Sequence, residues 1–254
     1  MFTGPQPQDR AARLRIVDKI VHDLHATHGD QIIAIGLYGS LAKGMDGPFS
    51  DIELFCVIQG NDIDYSYEWV YGVNKAEVNM YSEDVLRRSA VTVDEKWSLS
   101  QGQLLAACPL YGDLAFFAEL RQLVLSPPPE EFNVVMRDML VGEFYEWIGK
   151  LRNARSSGHT AYLPILACLF AEYGAQLLGI AHRICYTTGA KMLEESLQLQ
   201  DCPDGYAELC GMVMAGQLSV PAQVAAALER CWAGIGPWAI ANGIELDEHN
   251  RWPF

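Results

Sequence analysis

Ile32-Ile33-Ala34-Ile35-Gly36-Leu37-Tyr38-Gly39-Ser40, followed after ten residues by Asp51-Ile52-Glu53-Leu54-Phe55-Cys56-Val57-Ile58, is the stretch on which the fold turns. The first run is short and apolar and reads as a buried strand that ends at Gly39-Ser40. The second reads as a strand whose first residues alternate acid with apolar side chain, and Ala76-Glu77-Val78-Asn79-Met80 repeats that alternation as a third. Upstream, Leu14, Val17, Ile20, Val21 and Leu24 recur at helical spacing between about Gln8 and His28, and Gly29 follows as a stop. Ser126-Pro127-Pro128-Pro129 cannot continue a helix and marks a candidate boundary. Beyond it, helical periodicity dominates from Glu130 to about Arg155, from Leu163 to about Thr187 and from about Pro221 to Ile240. The expected class is α+β, with a mixed sheet and its helices in residues 1–126 and a helical bundle in residues 127–254.

Composition narrows the partners. Among 254 residues, 18 Lys and Arg face 32 Asp and Glu, so the formal net charge is 18 − 32 = −14. Such a chain is ill suited to a nucleic-acid backbone, which rewards clustered bases, and well suited to cations. Cys56, Cys108, Cys168, Cys185, Cys202, Cys210 and Cys231 are odd in number and never spaced C-x-x-C. They read as reduced thiols of a cytoplasmic protein, not as a disulfide framework or a zinc knuckle. Met1 to Arg15 is polar, carries Pro5 and Pro7, and does not read as a signal peptide. Leu163 to Ile184 is apolar, but Glu172, Gln176, His182 and Arg183 interrupt it, so a buried helix is expected and no membrane span.

The chemistry gathers around Gly39-Ser40 and Asp51-Ile52-Glu53. Side chains alternate across a strand, so Asp51 and Glu53 project from one face, where their mutual repulsion invites a hard divalent ion such as Mg²⁺. Gly39 lets the backbone approach a ligand, and amides and the Ser40 hydroxyl suit phosphate oxygens. Glu77 adds a third acid to the same face. Metal carboxylates beside a phosphate cradle describe a Mg²⁺-nucleotide site.

This constellation resembles the nucleotidyltransferase superfamily, whose signature is G-S followed by D-x-D/E. The likeness extends through Ala34–Leu41, Asp46–Glu53, Glu77-Val78-Asn79, Tyr145-Glu146-Trp147-Ile148-Gly149-Lys150 and Arg183–Thr188 to Pro253-Phe254, and looks like the aminoglycoside 4′-O-nucleotidyltransferases, the kanamycin nucleotidyltransferase family. The resemblance implies transfer of AMP from Mg²⁺-ATP, or another nucleoside triphosphate, to a hydroxyl of an aminoglycoside, with release of pyrophosphate. It implies that Asp51 and Glu53 ligate the metal and that Gly39, Ser40, Lys43, Lys75 and Lys150 serve the nucleotide. It implies that Glu68 and Glu143 meet the antibiotic, that Glu77 is either a metal ligand or a sugar contact, and that Glu146 is the general base. It also implies a homodimer with shared active sites, in which Glu146 and Lys150 serve the partner's nucleotide. Independently of the family, Glu143, Glu146 and Lys150 at i, i+3, i+7 share one helical stripe. Two departures stand out: Lys43 occupies a position where a relative carries Arg, and Gly142 one where a relative carries an acid. The rival readings are a nucleotidyltransferase for another small acceptor and a non-catalytic, antitoxin-like module of the same fold.

Other groups read as structural. His22, His25 and His28 fit a solvated helix face better than a zinc site. Tyr65, Tyr67, Trp69 and Tyr71 read as an aromatic loop around Glu68. His182 and Arg183 read as cations at a helix C-terminus.

Overall fold

A computed structural model describes residues 4–244 and 246. Met1–Thr3 of the leader reading and Pro253-Phe254 of the resemblance lie outside the described residues. Two compact units are present: one runs to Thr92 and resumes over Ser100–Pro127, and the other combines Val93–Leu99 with the chain from Pro128 onward.

In the first unit, helix α1 (Arg10–His28) starts where the Asp9 carboxylate accepts from the Ala12 amide and ends at Gly29, whose φ of 52° few other residues adopt readily. Strand β1 (Ile32–Leu37) leads into a single helical turn, α2 (Gly39–Ala42). Strands β2 (Ile52–Ile58), β3 (Asp64–Tyr71) and β4 (Asn74–Ser82) precede helix α3 (Glu83–Val91). After α4 (Trp97–Ser100), most of which belongs to the second unit, helix α5 (Gly102–Leu105), strand β5 (Cys108–Tyr111) and helix α6 (Leu114–Val124) complete the first. The sheet order is β3-β4-β2-β1-β5, parallel only between β2 and β4. It is a mixed sheet because β3 passes beyond the place beside β2 and β4 returns to fill it.

One sheet face carries Ile35, Leu37, Ile52, Leu54, Cys56, Val78 and Met80, and α1 packs Val17 and Ile20 onto it. The opposite face is covered around Phe55, whose ring meets Phe117 of α6 at 6.1 Å between centroids. This apolar cover stops before Glu53. Buried on both sides, β1 and β2 have almost no polar residue past their first positions, as a two-sided core requires.

Two strand readings change. Residues 65–71 are not a loop: Tyr65, Tyr67, Trp69 and Tyr71 alternate along the edge strand β3, and Trp69 packs on the core while Glu68 points to the other face. The second edge strand, β5, carries Pro109 and too few residues to show a period.

The second unit is helical: α7 (Pro129–Met139), a single π-turn (Leu140–Phe144), α8 (Tyr145–Ser157), α9 (Leu163–Ala181), α10 (Met192–Ser196), α11 (Tyr206–Met214) and α12 (Pro221–Ala241). Its centre is aromatic, with Phe144, Trp147 and Phe170 in mutual ring contact. Thr160–Ala181 is long and apolar enough to cross a membrane, at a mean hydropathy of 1.6, yet 67% of that window is buried within the protein. Leu163, Leu166, Phe170 and Leu178 of α9 are among its core side chains. The helix stops at Ala181, short of Thr187, because Arg183 adopts φ 52° and lays its guanidinium over the Phe132 ring at 4.9 Å.

The loop from α2 to Asp51 is tethered to α1. Asp46, with 3% of its side chain exposed, is paired with Arg10 and with the buried Arg13, and Arg13 also donates to the Gln8 and Pro48 carbonyls. Those guanidinium groups hold the Asp46 carboxyl below its ordinary range despite burial. Replacing Arg13 by Ala leaves a buried carboxylate with only the exposed Arg10, and is expected to cost about 3 kcal/mol in urea unfolding. Removing Lys19, whose i, i+4 partner Asp23 is exposed, is expected to leave the urea midpoint unchanged.

Candidate active site

Strand pairing decides which acids meet. Glu53 of β2 is the register partner of Glu77 on β4, and Glu77 is in turn the partner of Glu68 on β3. Register partners share a face, so three glutamates form a row across the sheet, and Asp51, two residues before Glu53, lies on the same side. The Tyr38 amide donates to the Glu53 carbonyl, which brings the end of β1 and the α2 turn beside this row.

Gly39 is shaped around Glu53. Its φ is +68°, and a Cβ added there would stand 1.7 Å from Glu53 Oε2. The carboxylate occupies space that only glycine leaves. Burial first, then the charges of Asp51 and Glu77, push the Glu53 carboxyl up to about 7, while Lys75 and Lys43 pull the other way. The donor set therefore fits a hard divalent cation, whose charge relieves this crowding.

Glu77 is engaged differently. Its Oε1 accepts from Tyr38 Oη at 2.9 Å and from Asn79 Nδ2 at 2.8 Å, and Asn79 also donates to Tyr38 Oη at 2.7 Å. Among the described residues, no three His, Cys, Asp or Glu side chains are gathered so as to hold an ion. The Asp51 and Glu53 pair stands apart from Glu77, which spends one oxygen on its own hydrogen bonds. Lys75 lies 2.9 Å from Glu68 and 3.7 Å from Glu77, and its ammonium is raised above its usual range chiefly by the hydrogen bond to Glu68.

Glu143, Glu146 and Lys150 belong to the second unit. Lys150 Nζ contacts Glu146 Oε1 at 2.6 Å on an exposed stretch of α8, and that bond raises the lysine. Glu143 sits in the π-turn that precedes α8, and its charge also acts on Lys150. Glu143 also lines a cavity of about 340 Å³ with Asp94, Glu95, Asp138 and Tyr173. Burial and then the Glu95 charge raise the Asp94 carboxyl there.

Sequence reading missed Tyr38 and Asn79 as site residues. The period of the third strand already placed Asn79 beside Glu77, whereas the reach of Tyr38 depends on the β1–β2–β4 order.

Residues 114–245 match the KNTase C-terminal domain family. Over 253 residues, spanning the whole of this chain and of each relative, the sequence is 39% identical to an aminoglycoside nucleotidyltransferase (4') of a Bacillus species and 39% identical to one of Staphylococcus aureus. Among solved structures, a nucleotidyltransferase-like protein from Exiguobacterium sibiricum 255-15 aligns over 89% of this chain and 77% of its own, with a TM-score of 0.54 and 11% identity, which shows a shared fold.

Two measurements probe this geometry. Glu53 has a native value near 7 against an ordinary 4.5, so its protonated form is favoured by folding. Its contribution is complete below about 4.5 and lost as pH rises through about 7. Cation-free wild type is therefore expected to lose thermal stability relative to Glu53→Gln across that window. Gly39→Ala is expected to lower turnover by at least about 100-fold while circular dichroism shows the helical content unchanged.

Proposed function

The chain belongs to the family of the aminoglycoside nucleotidyltransferases (4'), and on that footing we propose that it transfers AMP from Mg²⁺-ATP to the 4′-hydroxyl of an aminoglycoside, releasing pyrophosphate. The observation that carries this reading is the crowded acid row beside Gly39. Carboxylates held this close demand cations, and the reaction supplies two kinds, a metal on the triphosphate and the ammonium groups of the antibiotic. The match along the full length, bundle included, favours an enzyme over an antitoxin-like module.

In this reading Asp51 and Glu53 would hold Mg²⁺, which neutralises charge on the phosphate oxygens. Gly39 and the Ser40 hydroxyl cradle the triphosphate, and Lys43, Lys75 and Lys150 balance its charge. Glu68, Glu77 and Glu143 orient the polycation. The sugar oxygen attacks the α-phosphorus in line, the O–P bond forms as the bond to pyrophosphate breaks, and the hydroxyl proton passes to Glu146. Little covalent work falls to the protein; its contribution is placement. The proposed division of labour puts nucleotide chemistry in residues 1–126 and the base in residues 127–254, in a cytoplasmic homodimer with shared sites.

Incubation with Mg²⁺-ATP and kanamycin is expected to release pyrophosphate and yield a 4′-O-adenylyl product visible by phosphorus–proton correlation. Absence of release with every aminoglycoside tried would exclude the reading. Glu146→Gln is expected to lower kcat by roughly 100-fold or more with binding of both substrates retained.

A further inference from the structure

Tyr38 and Asn79 have no part in the chemistry above, yet the triangle they form with Glu77 is specific in its construction. The Asn79 amide donates to both other members, to Tyr38 Oη at 2.7 Å and to Glu77 Oε1 at 2.8 Å. With its lone pair taken by that amide, the Tyr38 hydroxyl is left to donate its proton to Glu77 Oε1 at 2.9 Å. The phenol is 7% exposed and its ring stacks on Phe55, so it cannot swing away. Two donors thus converge on Oε1. The other oxygen, Oε2, has Lys75 at 3.7 Å, beyond hydrogen-bond range, and Lys75 is closer to Glu68.

We propose that Tyr38 and Asn79 are positioning residues that clamp one oxygen of Glu77 so that Oε2 is presented to an ammonium group of the aminoglycoside. The inference rests on the functional reading above and settles the role of Glu77 within it, as a substrate carboxylate and not a metal ligand. A carboxylate free to rotate loses orientation whenever a cation docks, whereas a clamped one meets it already aligned.

Tyr38→Phe keeps the packed ring and removes one donor, and Asn79→Leu removes the other. Each is expected to raise the KM for kanamycin about tenfold, with the KM for Mg²⁺-ATP within about twofold of wild type. In a Glu77→Gln background Tyr38→Phe should add under about twofold, because the group it acts through has changed. A Tyr38→Phe enzyme with unchanged kanamycin KM, an equal rise in the nucleotide KM, or the same tenfold loss on top of Glu77→Gln would each overturn the inference while wild-type activity stands. A wild type that modifies no aminoglycoside fails the functional reading itself, and the inference falls with it.

Discussion

Mutual repulsion among carboxylates on one sheet face is the constraint around which the first unit is arranged. Glu53 and Glu77 are set side by side by a parallel β2–β4 pairing that has no freedom to slip, since a one-residue shift would turn Leu54, Cys56, Val78 and Met80 out of the core. The apolar register thus enforces an electrostatic arrangement that the acids alone would avoid. Glu53 shows the tension, its carboxyl raised to about 7 where burial and two neighbouring charges act together. A group tuned in this way is poised to trade its proton for a metal or another cation.

Much of the arrangement was legible in the sequence, for a physical reason. The two central strands are buried on both faces, and the third alternates strictly, so periodicity exposed them together with the acids they carry. The Gly39 requirement was legible in kind but not in detail: sequence says that backbone comes close there, and only the fold shows that Glu53 fills the space. Edge strands were harder. Strand β3 is almost entirely exposed, so its aromatic alternation imitates a decorated loop, and the short β5 leaves no pattern at all. The π-turn was invisible because Leu140 and Phe144 remain buried at an ordinary helical interval while Gly142 and Glu143 absorb the extra winding. Nor does anything in residues 93–99 announce that they join the second unit, where Trp97 packs edge-on against Phe132.

The acids divide into held and releasable groups. Glu77 is partly buried and fixed by two neutral donors, Tyr38 and Asn79. Asp46, five residues before Asp51, is fixed by arginines and tethers the loop that delivers Asp51 to α1. Loops that must place a ligand to within about half an ångström need such anchors, because their own backbone hydrogen bonds do not define a single path.

Lys75 and Glu68 form the contrasting case. Their ion pair leaves 45% and 56% of the side chains exposed, and such a pair is worth under about 1 kcal/mol. It therefore costs little to separate, and in the proposed reaction a triphosphate would claim the ammonium and an antibiotic amine the carboxylate. Before substrates arrive the two residues neutralise each other and spare the sheet edge an uncompensated acid beside Glu77. In that reaction each would exchange its partner for an ion of the same sign as the one it lost, which preserves the charge balance of the row. A buried, tightly bonded pair at that position would hold both groups back, and an unpaired glutamate would add to the repulsion already concentrated on Glu53.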